Sequence, residues 1–508
     1  MGRGSTTPPS LYDPTTEHDA CGVGFVADGG GRSRGRVLPL ALAGLASLGH
    51  RGAFAADGAS SDGAGVALPL EPAILTRLTS DLRAAARAGL GSRPAVLQLF
   101  LPRGARSQTR SRDVVAAALE EVGLAVVAWR RVPTDPSALG PVAFASRPSF
   151  WQAFVARPCA GQAGRPVTDA TFERWLLLAR RRIAAEALVA GLDDLAVASG
   201  SCRTIVYKGL VAGGRLAQLY PDLAPPLPLA FATFHQRYAT NTHPTWRLAQ
   251  PFNLLAHNGE INTVRGNREE VRGRRGDPDP GGLLDELRSR GPLLTAGGSD
   301  SASLDEAVEL LSSSGWGVAG ALAALIPEAP ALRADGNPGA IGLARRSAGF
   351  LAPWDGPAAI VFTDGRSVGA LLDRNGLRPL ACATTAAGLV AAASESGAVP
   401  LDPAEVETLT RLGPGEMILV EPARRRILTD AAARRRLART PAAAQDRPRP
   451  TFADEPPGSV AALPAPGPSP AWRYLAGLDA ERLRLDLRTM ALEGHEPLWS
   501  MGDDTPTP

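Results

Sequence analysis

His18-Asp19-Ala20-Cys21-Gly22-Val23-Gly24 sets a cysteine at the head of Val23 to Ala27, a short apolar run that reads as a strand. If the residues before it were removed, Cys21 would carry a thiol and a free α-amine on one residue. A thiol is the best side-chain nucleophile near neutral pH and an unperturbed α-amine titrates near pH ~8, so the pair can act as nucleophile and general base. The alternative is an ordinary buried cysteine, filling space as a small apolar side chain.

The segment Met1 to Ala20 contains Pro8, Pro9 and several acidic residues but no continuous apolar core of the kind a secretory signal needs. It reads as a propeptide. No other stretch reaches the ~18 uninterrupted apolar residues of a membrane span, and the run around Leu38 to Leu48 is too short. The expectation is a soluble, cytoplasmic protein without a membrane partner.

With 508 residues, 44% of them hydrophobic, the chain can build more than one core. A formal net charge of +3 argues for no particular partner and gives nucleic-acid binding no support. Lys208 is the only lysine, so nearly all positive charge is arginine. Cys21, Cys159, Cys202 and Cys382 show no CxxC pairing and no histidine at ligand spacing, which excludes a recognisable zinc or iron–sulfur framework. They also make a poor disulfide scaffold for a chain of this length, as suits a reducing compartment. The group His18, Asp19 and Cys21 offers metal-ligating atoms, but ligands so close in sequence rarely all point inward. No metal is expected.

Leu38, Leu42, Leu45 and Leu48 fall at helical spacing before the turn Gly49-His50-Arg51-Gly52, and a charged helix is expected over Thr171 to Ala190. Val66 to Leu70, Val96 to Leu101, Phe231 to Phe234, Leu254 to Ala256, Ala358 to Phe362, Ser367 to Leu372 and Met417 to Val420 read as further strands. Many short strands with helices between them indicate an α+β domain with stacked sheets. From Ala423 the character changes. Arg424 to Arg426 and Arg434 to Arg436 are arginine triplets that read as solvated faces, and a Pro/Ala/Gly-rich run follows to Pro470. Ala471 to Leu492 returns to a helical pattern.

The decisive constellation lies downstream. Phe234-His235-Gln236-Arg237-Tyr238-Ala239-Thr240-Asn241-Thr242-His243 leads through Gln250-Pro251-Phe252 to Ala256-His257-Asn258-Gly259-Glu260-Ile261-Asn262-Thr263. With Glu17 to Gly24, His50-Arg51-Gly52-Ala53, Asp62-Gly63-Ala64-Gly65, Thr204 to Leu210, Gly297 to Ser303, Trp354 to Ala358, Phe362 to Arg366, Asp373-Arg374-Asn375-Gly376-Leu377-Arg378-Pro379 and Ser394-Glu395, the chain resembles the class II glutamine amidotransferase domain of the glutamate synthase large-subunit family. The resemblance implies a four-layer αββα sandwich of the N-terminal-nucleophile (Ntn) hydrolase type.

It also implies roles. Cys21 attacks the side-chain amide of L-glutamine to form a thioester, and the Asn258 amide and Gly259 N–H stabilise the oxyanion. Arg237 takes the α-carboxylate and Asp300 the α-ammonium. Arg51 orders the cysteine loop, and Thr240 and Asn241 lie beside the substrate. The implied organisation is a propeptide over 1–20, the amidotransferase domain over 21–422, a linker over 423–470 and, over 471–508, the start of the family's central domain.

In the family the released ammonia serves glutamate biosynthesis by reductive amination of 2-oxoglutarate on a domain holding FMN and an iron–sulfur cluster. Neither cofactor is expected in this chain, so a polypeptide carrying the flavin domain is the expected partner. Two alternatives stay open: a stand-alone class II amidotransferase for another acceptor, and a non-catalytic glutamine-binding partner. Because a peptide-bonded nitrogen cannot serve as the base, active protein should begin at Cys21. Intact-mass measurement of active material retaining Met1 would overturn that expectation.

Overall fold

The computed structural model describes residues 21–91, 93–159, 166–237, 244–273, 283–290, 292–295, 297–328, 352–439 and 480–494. Its strands are β1 (Gly22–Asp28), β2 (Ala64–Pro69), β3 (Ala95–Leu101), β4 (Val126–Arg131), β5 (Ser149–Val155), β6 (Ala196–Ser201), β7 (Thr204–Gly209) and β8 (Phe231–Gln236). The second half adds β9 (Leu255–Gly259), β10 (Ala358–Thr363), β11 (Val368–Leu372), β12 (Ala381–Thr385), β13 (Leu389–Ala393), β14 (Val406–Arg411), β15 (Met417–Glu421) and β16 (Arg426–Leu428).

They form three sheets, of order β14-β12-β13-β1-β8-β2-β7, β16-β15-β11-β10-β9 and β4-β5-β3-β6. Side-chain alternation assigns the layers, because successive residues of a strand point to opposite faces. From β1, Val23, Phe25 and Ala27 enter one core together with Ala359 and Val361 of β10 and Ile418 and Val420 of β15. That core is the seam between the seven- and five-stranded sheets. Val26 points the other way, into a cluster with Val37, Leu38, Ala41 and Leu45 of the helix Arg34–Ser47. On the far side Ile360 and Phe362 meet Leu304 and Val308 of the helix Asp300–Leu311 and Leu322 of the helix Val318–Leu325. The result is helix, sheet, sheet, helix: the expected αββα sandwich. The third sheet packs under the helices Ala105–Glu120 and Asp169–Val189.

Ala27, Ala230, Ala256, Ala359, Ala370 and Ala392 line the seam. Two glycines let strands pack closely within a sheet: a Cβ on Gly24 would lie 2.5 Å from the Ala392 carbonyl oxygen of the neighbouring β13, and one on Gly369 2.5 Å from that of Ile418 in β15. No single described helix is long and apolar enough to cross a membrane.

The chain beyond Glu421 departs from the sequence reading, which begins a linker at Ala423. β16 pairs with β15 through Leu419 and Leu428, and the helix Asp430–Leu437 adds Ala433 and Leu437 to the core. Arg434, within the second arginine triplet, is only 2% exposed. Its Nε donates to Asp430 Oδ1 at 2.8 Å and pairs with Glu328, while Nη2 donates to the Gly415 carbonyl. Arg436 pairs with Glu421. The folded unit therefore continues to the end of the described residues at Arg439, and what reads as a solvated triplet supplies an interior ion-pair network. Residues 446–508 form a second unit, in which the described residues are helical from Ala480 to Glu493.

Arg434→Ala would strand the Asp430 and Glu328 carboxylates in the interior. It is expected to lower the unfolding free energy by about 3 kcal/mol, read as a fall in the urea midpoint. An unchanged midpoint would mean that this segment is not part of the cooperative unit.

Candidate active site

Cys21 stands one residue before β1, and β1 runs between β13 and β8 in the middle of the largest sheet. The thiol is buried. Behind it, a Cβ on Gly22 would lie 2.7 Å from the Leu48 Cβ, so the turn Leu48–Arg51 closes tightly on the strand's start. That turn carries Arg51, whose Nε donates to Glu395 Oε1, and His50 Nε2 meets the same oxygen at 2.8 Å. Against the upward push of partial burial, these two contacts hold the Glu395 carboxyl below its ordinary range.

Arg237 follows β8, which pairs antiparallel with β1 so that Gln236 faces Gly22. Its φ of 85° lies in the left-handed region, a conformation that costs a non-glycine residue about 1–3 kcal/mol. The Arg237 N–H donates to the Gly63 carbonyl at 2.8 Å, and its Nε lies 3.5 Å from Asp62 Oδ2. Asp62 and Gly63 lead into β2, whose Ala64 also pairs with Gln236. The start of β1, the end of β8 and the start of β2 thus share one rim.

The facing sheet brings β9 to that rim. Gly259, its last residue, has φ 137°, and a Cβ there would fall 1.7 Å from the Pro357 carbonyl oxygen. No other residue fits. Asn258 is buried, and its Oδ1 has no hydrogen-bond partner among the described residues; it is the amide NH2 that could donate to an oxyanion.

Three contacts fix this strand end. Gln250 clamps the backbone of His257, accepting from its N–H at 2.8 Å and donating to its carbonyl at 3.2 Å. His235 Nε2 donates to the same carbonyl at 3.1 Å, crossing from one sheet to the other. Burial pushes His235 down to about 3, so the ring is neutral with its proton on Nε2. Asp300, first residue of the helix Asp300–Leu311, accepts from the Ile261 N–H at 2.9 Å, and Ser301 bridges it to His257 Nδ1 at 2.9 Å.

Four buried or half-buried charges act on the Cys21 thiol. Burial dominates and pushes it up to about 12; Arg237 pulls it down, Asp62 raises it, Arg378 lowers it and Asp300 raises it. At neutral pH the thiol keeps its proton and needs a base to attack.

The structure thus gathers Cys21, Arg237, Asn258, Gly259 and Asp300 at one rim and places Arg51 on the turn that packs against it. Thr240 and Asn241 lie outside the described residues, as do His18 and Asp19. Asp62, Arg378, Glu395 and His235 carry no role in the sequence reading. All lie within the quoted motifs, but only the strand registers show that they converge: Ala381 pairs with Ala393 and Ala393 with Gly24, so Arg378 precedes β12 at the Cys21 end of the sheet.

The sequence profile described as "Glutamine amidotransferases class-II" matches residues 21–443. The "Glutamate synthase [NADPH] large chain" of Azospirillum brasilense is 35% identical over 98% of this chain and 33% of its own length. The "Ferredoxin-dependent glutamate synthase" of Cyanidium caldarium is 36% identical over 96% of this chain and 31% of its own. The chain spans about a third of the length of these curated relatives. Among solved structures, the glutamine phosphoribosylpyrophosphate amidotransferase from B. subtilis aligns over 44% of this chain and 40% of its own, at 19% identity and a TM-score of 0.27.

Gly259→Ala should disrupt the end of β9, costing about 2–3 kcal/mol by overpacking and removing any activity that depends on it. Gly266→Ala, in the helix Val264–Gly273 with nothing within 4 Å of its Cβ, is the control and should stabilise by up to ~1 kcal/mol. Thermal unfolding of both variants checks the contrast.

Proposed function

The chain belongs to the class II glutamine amidotransferases, and from that premise we propose that it hydrolyses L-glutamine to glutamate and ammonia through a thioester on Cys21. The reading rests on one observation above all: the buried thiol, a guanidinium, a carboxylate and a buried side-chain amide meet at one rim formed by strands of two sheets.

In this mechanism the leader is removed, and the Cys21 α-amine takes the thiol proton as sulfur attacks the amide carbon. The negative charge developing on oxygen is met by the Asn258 amide and the Gly259 N–H, donors typically worth ~3–4 kcal/mol each. The amine then returns the proton to nitrogen, the C–N bond breaks and ammonia leaves. Water attacks the thioester to release glutamate. The Arg237 guanidinium supplies a planar fork for the α-carboxylate, Asp300 supplies the charge for the α-ammonium, and Arg51 orders the cysteine loop.

The names of the relatives favour a glutamate synthase as the destination of the ammonia; the family resemblance adds 2-oxoglutarate as acceptor, on a flavin domain carried by another stretch of polypeptide, in the cytoplasm. FMN and the iron–sulfur cluster belong to that part. Among the described residues no three His, Cys, Asp or Glu are gathered to hold a metal ion. A different acceptor is less favoured because the matched relatives are glutamate synthases, and a silent glutamine-binding role because Cys21, Arg237, Asn258, Gly259 and Asp300 are all retained.

The test is ammonia release from L-glutamine by the chain beginning at Cys21. Cys21→Ala should abolish it while glutamine still binds. Asp300→Asn should weaken binding by about 1.5–3 kcal/mol, seen as a raised KM. Unchanged KM and turnover in Asp300→Asn would remove the ammonium-binding role.

A further inference from the structure

Arg237 is held in a backbone conformation that a non-glycine residue does not adopt unaided, so its surroundings must impose it. Two of the contacts come from one dipeptide. Asp62 presents its carboxylate to the Arg237 Nε at 3.5 Å, and the next residue, Gly63, presents its carbonyl to the Arg237 N–H at 2.8 Å. Gly63 is itself at φ 137°, which turns that carbonyl toward β8, and the Gln236 side chain donates to the same oxygen at 3.4 Å.

Asp62 is anchored in turn. Its N–H donates to the Ala53 carbonyl at 3.0 Å, and the Ser61 hydroxyl donates to Oδ1 at 3.4 Å. Both members of the pair are buried, with side chains 10% and 11% exposed, which limits the drift of a long side chain. A guanidinium held at Nε can still offer its two terminal nitrogens as a fork.

We propose that Asp62 is the positioning residue for Arg237, fixing where the fork for glutamine's α-carboxylate stands and thereby setting the preference for an amino-acid amide over a plain amide. This rests on the reading of Arg237 as the carboxylate-binding residue. Asp62 does not touch substrate; it acts through the guanidinium.

The experiment measures kcat and KM for two amides, L-glutamine and 4-aminobutanamide, which keeps the amide and the amine but has no α-carboxylate. The chain beginning at Cys21 is compared with Asp62→Asn, Asp62→Glu and Arg237→Gln. Asp62→Asn should lower kcat/KM for L-glutamine about tenfold more than for 4-aminobutanamide, chiefly through KM. Asp62→Glu keeps the charge and should recover part of the preference, so the inference stays testable if Asp62→Asn folds poorly. Equal losses on both amides in Asp62→Asn, or no recovery of preference in Asp62→Glu, would overturn the positioning role. If instead Arg237→Gln leaves the preference for L-glutamine intact, the reading of Arg237 itself fails. A selective loss in Arg237→Gln without one in Asp62→Asn refutes the inference about Asp62 alone.

Discussion

Strand β1 is buried along its whole length, with the helix Arg34–Ser47 on one face and a second sheet on the other. Between its ends such a strand has no room for polar side chains, because each would need a hydrogen-bonding partner inside the core. Its chemistry can appear only where it ends. Antiparallel pairing then multiplies that constraint: the start of β1, the end of β8 and the start of β2 fall on the same rim, and β9 of the facing sheet ends there too. The alanine-rich seam between the sheets brings the two sets of strand ends within reach of one another, as the contact of His235 with the His257 carbonyl shows.

A rim of this kind concentrates buried charge. Asp62 and Asp300 oppose Arg237 and Arg378 around the Cys21 thiol, so the site is close to neutral as a whole while each group is poorly solvated. Burial also pushes the Asp62 carboxyl up to about 6, with Arg237 and the Ala53 and Ser61 contacts pulling against it. A nucleophile kept protonated by its surroundings attacks only when a base is delivered to it. An α-amine created on the same residue is the nearest base the chain could supply.

The backbone around the site is less relaxed than the core. Arg237 and Gly259 adopt positive φ on facing sheets, and each is fixed by a carbonyl, from Gly63 to the Arg237 N–H and from Pro357 to the N–H of Glu260. The His235 contact to the His257 carbonyl joins the two halves directly. Strain of this kind persists where neighbouring structure over-determines it, and it holds reacting groups at fixed positions.

The sequence by itself determined the parts that depend on local pattern. The apolar runs of β1, β2, β3, β8, β9, β10, β11 and β15 and the helix after Asp169 are legible because residue type and spacing carry them, and the motifs around Cys21, Arg237, Asn258 and Asp300 are legible through their resemblance to a known family. β6, Ala-Val-Ala-Ser-Gly-Ser, and β12, Ala-Cys-Ala-Thr-Thr, are not, since small residues show no strand preference until neighbours cover them. Arg434 reads locally as one of three solvated arginines, and only the fold supplies the Asp430, Glu328 and Gly415 partners that let it be buried. Asp62 likewise stands in the sequence only as part of the motif Asp62-Gly63-Ala64-Gly65. Its contact with Arg237 spans residues far apart in the chain, and such a contact exists only once the strand registers are set. Tertiary structure therefore decided which charges face the thiol, because burial and pairing are properties of the assembled sheets.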